Sequence, residues 1–182
     1  ICVIGLMNLP ISIGQYRQRK ILKRYKATPL SPWMILGGQL FGSLILLIVS
    51  VFLVLGVAKL LFNYRMDGNI LLFVLTFILT TLSLFSIGFL VASLAKSEKS
   101  ANLIANLLYF PMIFLSGSTF PSEMFPEKMV IYTKLLPLTH GVELMKGVSF
   151  GMPISGFIPE ILILAGFTIV CTVISVFTFT WE

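Results

Sequence analysis

Long apolar runs separated by short polar segments define the organisation of this chain. Trp33–Phe62 and Ile70–Leu94 are each long enough to cross a bilayer, since a spanning helix needs about 20 apolar residues. Ala101–Leu115 begins a third predicted span, and Phe157–Trp181 forms the last one. The first run, Ile1–Ile13, is too short to cross and is interpreted as part of a truncated span. This pattern predicts an all-α, polytopic membrane protein with four full spans plus a truncated N-terminal span.

The segment after the first apolar run is strongly basic. Gln15–Lys26 contains six of the 13 lysine and arginine residues of the chain. As a helix it would be amphipathic, with Ile21, Leu22 and Tyr25 on one face and basic side chains over much of the rest. The positive-inside rule places such a segment on the cytoplasmic side of the membrane.

Three interpretations of this basic helix remain open from its composition. It could lie in the interface and bind anionic lipid, or it could act only as a topology signal. It could also dock in a groove of a cytoplasmic partner, as amphipathic helices often do.

A proline-rich segment, Gly117–Gly156, precedes the last span. It contains four prolines, and short helices are predicted near Pro126–Leu136 and Leu138–Val148. Neither helix could cross a bilayer, so we expect a re-entrant or interfacial hairpin whose backbone is satisfied by protein or water. The charge rule places this hairpin and the loop Asn63–Asn69 outside, and the loop Ala95–Ser100 inside.

The composition agrees with a multi-pass protein of the cell membrane. Apolar residues make up 57% of the chain and charged residues 11%, and the mean hydropathy is +1.01. Soluble domains carry roughly 25% charged residues. The net charge of +6 does not indicate nucleic-acid binding, because the charge is concentrated beside predicted spans.

Candidate chemistry is sparse. No phosphate-binding loop of the form GxxxxGK[ST] occurs, so we do not expect this chain to hydrolyse a nucleotide. His140 is the single histidine, and the single aspartate, Asp67, lies in a different predicted loop. One histidine predicts neither a nucleophilic triad nor a metal site. Glu143 and Lys146 are three residues apart and could pair on one helix face, with Glu143 a candidate for a polar lining.

Small and polar residues within the predicted spans indicate packing contacts. Gly38 and Gly42 form a GxxxG-like step, which we expect to pack within the chain in preference to contacting another subunit. Asn102 and Asn106 lie four residues apart and could hydrogen-bond across helices.

Two motifs resemble those of ABC-2 type transporter permeases. Ala27–Pro32, ATPLSP, resembles the signature that follows the coupling helix of that family. Phe114–Pro121, Pro126-Glu127 and Leu136–His140 are similar to its FLSG…FP…lP…NPLTY pattern before the last span. The two motifs occur in the family's order, with the same number of spans between them.

The resemblance implies a permease subunit of an ATP-binding cassette exporter. Residues 1–182 would then form one transmembrane domain, a fragment of a six-span permease that pairs with a second permease subunit. Two cytoplasmic ATPase subunits would carry the ATP and Mg²⁺, and this chain would bind no cofactor. Gln15–Lys26 would be the coupling helix, with an apolar face in the ATPase groove and a basic rim. The residues implied in coupling are Arg17, Ile21, Leu22, Lys23, Arg24 and Tyr25.

The resemblance also implies an outer gate in the proline-rich segment. Its residues would be Ser116, Gly117, Phe120, Pro121, Pro137, Thr139, His140 and Glu143. A drug, an antimicrobial peptide or a lipid-like molecule would be the substrate, because the predicted pathway carries little fixed charge. The alternative function is a non-transport scaffold or lipid-binding protein whose basic helix contacts anionic headgroups. A membrane-embedded enzyme or an ion-coupled transporter would need ionisable residues within the spans, which this chain hardly has.

Overall fold

The computed structural model describes residues 1–18, 32–62, 67–95, 97–119 and 133–178, with the side chains of the second range described from Gly37 onward. Within these ranges the regular structure is entirely helical. Its α-helices are α1 (Leu9–Gln18), α2 (Pro32–Phe62), α3 (Ile70–Leu94), α4 (Glu98–Leu115), α5 (Pro137–Ser149) and α6 (Ile158–Thr178). A π-helical segment, Val3–Asn8, leads into α1, and a 3₁₀ turn, Ile154–Phe157, leads into α6.

Helix α3 is the centre of the bundle and packs against α1, α5 and α6. Its buried face is rich in serine and threonine, and four of these hydroxyls bond back to carbonyls about one turn earlier. Thr80 donates to the carbonyl of Thr76 at 2.8 Å, and Ser86 donates to that of Ser83 at 2.7 Å. Such local bonds satisfy these four hydroxyls, so small polar side chains can line a close helix contact in an apolar bundle. The buried hydroxyls of Thr81 and Ser83 have no partner in the described structure.

The first apolar segment is a helix buried in this bundle. Leu6, Leu9 and Ile13 have almost no exposed surface and pack against α3 and its neighbours. The closest approach joins Gly88 of α3 to Gly5, where a Cβ at Gly88 would overlap the Gly5 carbonyl. A glycine is therefore required there by the proximity of two backbones.

Helix α2 lies at the edge of the described bundle and is almost entirely exposed. A Cβ built on Gly38 or Gly42 would meet nothing within 4 Å. The expectation that this glycine step packs within the chain is therefore wrong for the described residues. Its surface includes large apolar side chains, which suits contact with lipid or with another membrane-embedded protein.

Three helices of the described part are long and apolar enough to cross a membrane, namely Gly37–Phe62, Ile70–Leu94 and Ile154–Thr178. The predicted span at Ala101–Leu115 is not among them. It corresponds to α4, which has 18 residues and a length of roughly 27 Å. Glu98 and Lys99 in its first turn and two asparagines reduce its apolar character. The sequence predicts four full spans, whereas the described residues contain three candidate spans. The predicted number of spans is therefore not confirmed.

Part of the proline-rich segment is described. The predicted short helix at Leu138–Val148 is confirmed as α5, Pro137–Ser149, with Pro137 at its first turn. Most of the other predicted short helix, Pro126–Leu136, lies outside the described residues. A re-entrant path of the whole segment stays a prediction.

Candidate functional site

The described residues form two polar clusters, one at the C-terminal end of α3 and one beside its N-terminal half. The first, which we call the α1–α3–α4 junction, comprises Gly14, Gln15 and Arg17 of α1 with Ala92, Ala95, Ser97 and Glu98. The second, which we call the histidine–glutamate cluster, comprises His140 and Glu143 of α5 with Glu160 of α6. The N-terminal half of α3 packs beside α5, since Thr80 contacts Gly141 and partly buried residues of α3 pack against Leu144.

Arg17 anchors the last turn of α1 to the last turn of α3. Its Nη1 donates to the carbonyl oxygens of Ala92 at 2.8 Å and Ala95 at 2.6 Å, and the side chain is only 8% exposed. The last carbonyls of a helix lack partners within it and carry partial negative charge, so a guanidinium is well matched to them. Burial lowers the pKa of Arg17, but arginine still remains protonated.

The start of α4 contacts the same turn of α1. Gln15 Nε2 donates to Glu98 Oε1 at 2.9 Å. Ser97 and Ser100 form a reciprocal capping box, in which each hydroxyl accepts from the other residue's backbone N–H. A Cβ on Gly14 would lie 3.0 Å from the Glu98 Cα, so the two backbones are nearly in contact. The last turn of α1 is therefore held by the end of α3 and by the start of α4.

The structure places part of the predicted coupling segment. Gln15–Gln18 forms the last turn of α1, continuous with the buried helix before it. The sequence-based prediction places Arg17 at a partner-facing rim, whereas its guanidinium lies against this chain's own carbonyls. The other residues implied in coupling lie outside the described residues, namely Ile21, Leu22, Lys23, Arg24 and Tyr25.

The histidine–glutamate cluster joins α5 to α6. One ligand-type atom from each of His140, Glu143 and Glu160 lies within 4.8 Å of the other two. His140 is 6% exposed, and its Nε2 lies 2.7 Å from the carbonyl oxygen of Lys134. Its Nδ1 and the Oε2 of Glu160 are both buried and have no hydrogen-bond partner in the described structure.

Helical spacing and an apolar contact bring these three side chains together. His140 and Glu143 are three residues apart on α5, which places them on one face. Glu160 lies in the first turn of α6. Leu144 follows His140 by one turn, Leu164 follows Glu160 by one turn, and both belong to one buried cluster. Among the described residues no ion pair joins Glu143 to Lys146, so the expected pairing on that face is not observed.

The residues predicted to form an outer gate fall on two neighbouring helix ends. Ser116 caps α4, and Gly117 follows it with a φ of 74°, a conformation that glycine adopts without strain. The residues of α5 are Pro137, Thr139, His140 and Glu143. Phe120 and Pro121 lie outside the described residues. The two ends adjoin, because Met112 and Leu138 share a buried cluster.

Helix α4 also presents polar groups on an exposed face. Asn106 Nδ2 donates to the carbonyl and to the side-chain oxygen of Asn102, at 2.8 and 2.6 Å. The two asparagines therefore bond within α4, and not across helices as expected. They line an open groove with Lys99, Leu103, Leu107, Phe110 and Pro111.

Comparison with known proteins places the chain among transport proteins. The model of a family described as "ABC-2 family transporter protein" matches residues 1–177. The chain is 30% identical to ABC transporter G family member 20 of Dictyostelium discoideum, over 81% of this chain and 21% of that protein. It is 25% identical to the inner membrane transport permease YhhJ of Escherichia coli, over 82% of this chain and 40% of that protein. Nodulation protein J of Rhizobium meliloti is 33% identical over 42% of this chain and 29% of that protein.

This chain thus spans less than half the length of these curated relatives. No solved structure matches it.

Proposed function

Because this chain belongs to the ABC-2 family of transporter proteins, we propose that it is part of the permease subunit of an ATP-binding cassette exporter. Family membership assigns it to the membrane subunit of a transporter, which is not itself catalytic. In the proposed assembly a separate cytoplasmic ATPase hydrolyses ATP, and conformational changes of the permease move the substrate outward.

The α1–α3–α4 junction is the observation that carries this proposal. It lies directly before the basic stretch that completes the predicted coupling helix, Gln15–Lys26. Arg17 holds the end of α3, and Gln15 with Gly14 holds the start of α4. A force applied to residues 19–26 would therefore act on two more helices through short, direct contacts. If the last turn of α1 made no such contacts, it could move without moving α3 or α4.

The proposed coupling requires that the ATPase distinguish two states of the permease. A partner shifts a conformational equilibrium only by the difference between its affinities for the two states. We propose that Ile21, Leu22 and Tyr25 seat in the ATPase and that its ATP-driven rearrangement moves the attached end of α1. Arg17 has an anchoring role within the permease in this mechanism.

The exposed surfaces of α2 and α4 are the basis for proposing a second permease subunit and a substrate pathway beside it. The Asn102–Asn106 pair is exposed on α4, and amides are costly to place against lipid tails. We propose that this face borders the substrate pathway, whose mixture of asparagine and apolar groups suits an amphipathic or apolar substrate. The open glycine step at Gly38 and Gly42 is then available for the partner permease, which could be identical or different.

The test is purification of the full-length permease in mild detergent, with identification of bound proteins and assay of ATP hydrolysis. We expect a stoichiometric ATPase. The double substitution Leu22→Asp and Tyr25→Asp should release it and abolish transport in vesicles. Gln18→Asp, which adds one negative charge at an exposed position of α1 where the double variant adds two, is the control and should retain both.

Retention of the ATPase and of transport by the double variant would refute the docking proposal. If the wild-type chain purifies alone in several detergents and binds anionic vesicles in a salt-sensitive manner, the lipid-binding scaffold would replace the exporter.

A further inference from the structure

We propose that His140, Glu143 and Glu160 bind a divalent transition-metal cation of the Zn²⁺ class, which links α5 to α6. This proposal goes beyond transport and does not depend on the proposed exporter function. It rests on the geometry of the three side chains and on the two buried polar atoms that lack a partner.

The hydrogen bond of His140 determines which ring nitrogen is available. The carbonyl oxygen of Lys134 can only accept, so the Nε2 that lies 2.7 Å from it must carry the proton and donate. In the neutral ring, Nδ1 then carries no proton and its lone pair is available to a ligand. That atom is buried and has no partner in the described structure. One ring nitrogen of His140 lies within 4.8 Å of a carboxylate oxygen of Glu143 and of Glu160. Metal-binding histidines commonly donate their other N–H to a backbone carbonyl, which orients the ring in this way.

The two glutamates supply negative charge that the described structure leaves without a cation. Glu160 Oε2 is buried without a hydrogen bond, which is costly for a carboxylate. Lys146, the basic residue one turn from Glu143 on α5, makes no ion pair with it within the described residues. Carboxylate oxygens of Glu143 and Glu160 lie within 4.8 Å of each other, so the two charges repel and a bound cation would remove that repulsion.

The ligand set selects the class of cation. A site with only oxygen ligands suits Mg²⁺ or Ca²⁺, whereas an imidazole nitrogen favours Zn²⁺ and related transition metals. Metal–ligand distances are about 2.0–2.2 Å, so ligand atoms around one ion lie roughly 3–4 Å apart. The three atoms already lie within 4.8 Å of one another, and Glu143 is exposed and free to adjust its rotamer. Three protein ligands leave a coordination position for water.

Binding would tie together two helices that already share an apolar contact. Leu144 and Leu164 are fully buried in the same cluster, one turn beyond the proposed ligands. The cation would therefore stabilise the packing of α5 against α6, and unfolding that separates these helices would release it. The free energy of unfolding should therefore rise with the concentration of free metal ion, because the ion binds the folded state and not the unfolded one.

The experiment uses the full-length protein, purified in detergent with an affinity tag that contains no histidine. After chelation and removal of the chelator, Zn²⁺ uptake is measured by equilibrium dialysis with elemental analysis and by calorimetry. We expect one Zn²⁺ per chain, weak competition by Mg²⁺, and a higher midpoint of thermal unfolding with metal. Binding of Co²⁺ should give the visible absorption bands of a site with nitrogen and oxygen ligands.

Three variants and one control assign the site. His140→Ala, Glu160→Gln and Glu143→Ala should each weaken Zn²⁺ binding at least tenfold, since even outer-shell changes at metal sites cost 10- to 100-fold. Glu143 is exposed, so its substitution leaves folding unaffected and remains informative if the His140 variant does not fold. Asp67→Asn removes a carboxylate outside the cluster and should bind Zn²⁺ like the wild type.

Two outcomes would overturn the proposal. The first is a wild-type protein that takes up no stoichiometric Zn²⁺. The second is equal affinity in the Glu143 variant, the Glu160 variant and the control.

Discussion

The anchoring role of Arg17 gives the most discriminating prediction about stability. Arg17→Met keeps most of the length and apolar stem of the side chain but removes the guanidinium. Two carbonyls, those of Ala92 and Ala95, would lose a donor at 2.8 and 2.6 Å. A hydrogen bond from a charged donor is worth about 1.5–3 kcal/mol. Both bonds come from one nitrogen and are not fully additive, so we expect a loss of about 2–4 kcal/mol.

Thermal unfolding of the full-length protein in detergent measures this loss. The matched control is Gln18→Met, at the adjacent exposed position of the same helical turn, which should change the unfolding midpoint little. Arg17→Lys should fall between the two, because an ammonium keeps the charge but lacks the guanidinium geometry. In the purified complex, Arg17→Met should also reduce substrate-stimulated ATP hydrolysis while the ATPase remains bound. Equal unfolding midpoints for Arg17→Met and Gln18→Met would refute the anchoring argument.

Two further substitutions test the packing around the same helices. Gly88→Ala should lower the unfolding midpoint strongly, because its Cβ would overlap the Gly5 carbonyl, whereas the control Gly166→Ala meets open space and should be neutral or slightly stabilising. If both glycine variants unfold alike, the close approach of α3 to the first helical segment is wrong. Ser97→Ala removes the cap of α4 and should cost about 1 kcal/mol, while Ser155→Ala, at an exposed serine whose side chain makes no hydrogen bond in the described structure, serves as its control in the same melt.

The local pattern of apolar and polar residues was sufficient to predict the bounds of helices whose ends are marked by capping or turn-forming residues. The predicted span Ile70–Leu94 is confirmed with the same bounds, because Asn69 caps its start and the charged loop follows Ala95. Helix α5 was predicted to within a residue at each end, since Pro137 favours a first turn. Whether helix α4 crosses the membrane was harder to predict, because asparagines interrupt its apolar run and charged residues precede it.

The contacts that make up both polar clusters could not be predicted from spacing. Arg17 meets carbonyls 75 and 78 residues later in the chain, and a positive charge next to a span also has an ordinary explanation as a topology signal. The proline-rich segment drew attention to His140 and Glu143, but Glu160 belongs to the first turn of the last helix and carried no distinguishing signal. Only the packing of Leu144 with Leu164 brings that carboxylate to the histidine. The sequence-based expectation that one histidine makes no metal site stays a prediction, and it did not consider a carboxylate from another helix.

The position of α3 has a mechanical consequence for the two clusters. Its C-terminal turn is bonded to Arg17, while Thr80, about four turns earlier, lies against Gly141 beside His140. Between them α3 is one uninterrupted helix, although the buried hydroxyls of Thr81 and Ser83 have no hydrogen-bond partner in the described structure. A displacement imposed on the last turn of α1 must then either break the Arg17 bonds or move α3 as a body. In the second case α5 has to move with it or lose its contact at Gly141, so α5 is expected to respond to events at the C-terminal end of α3.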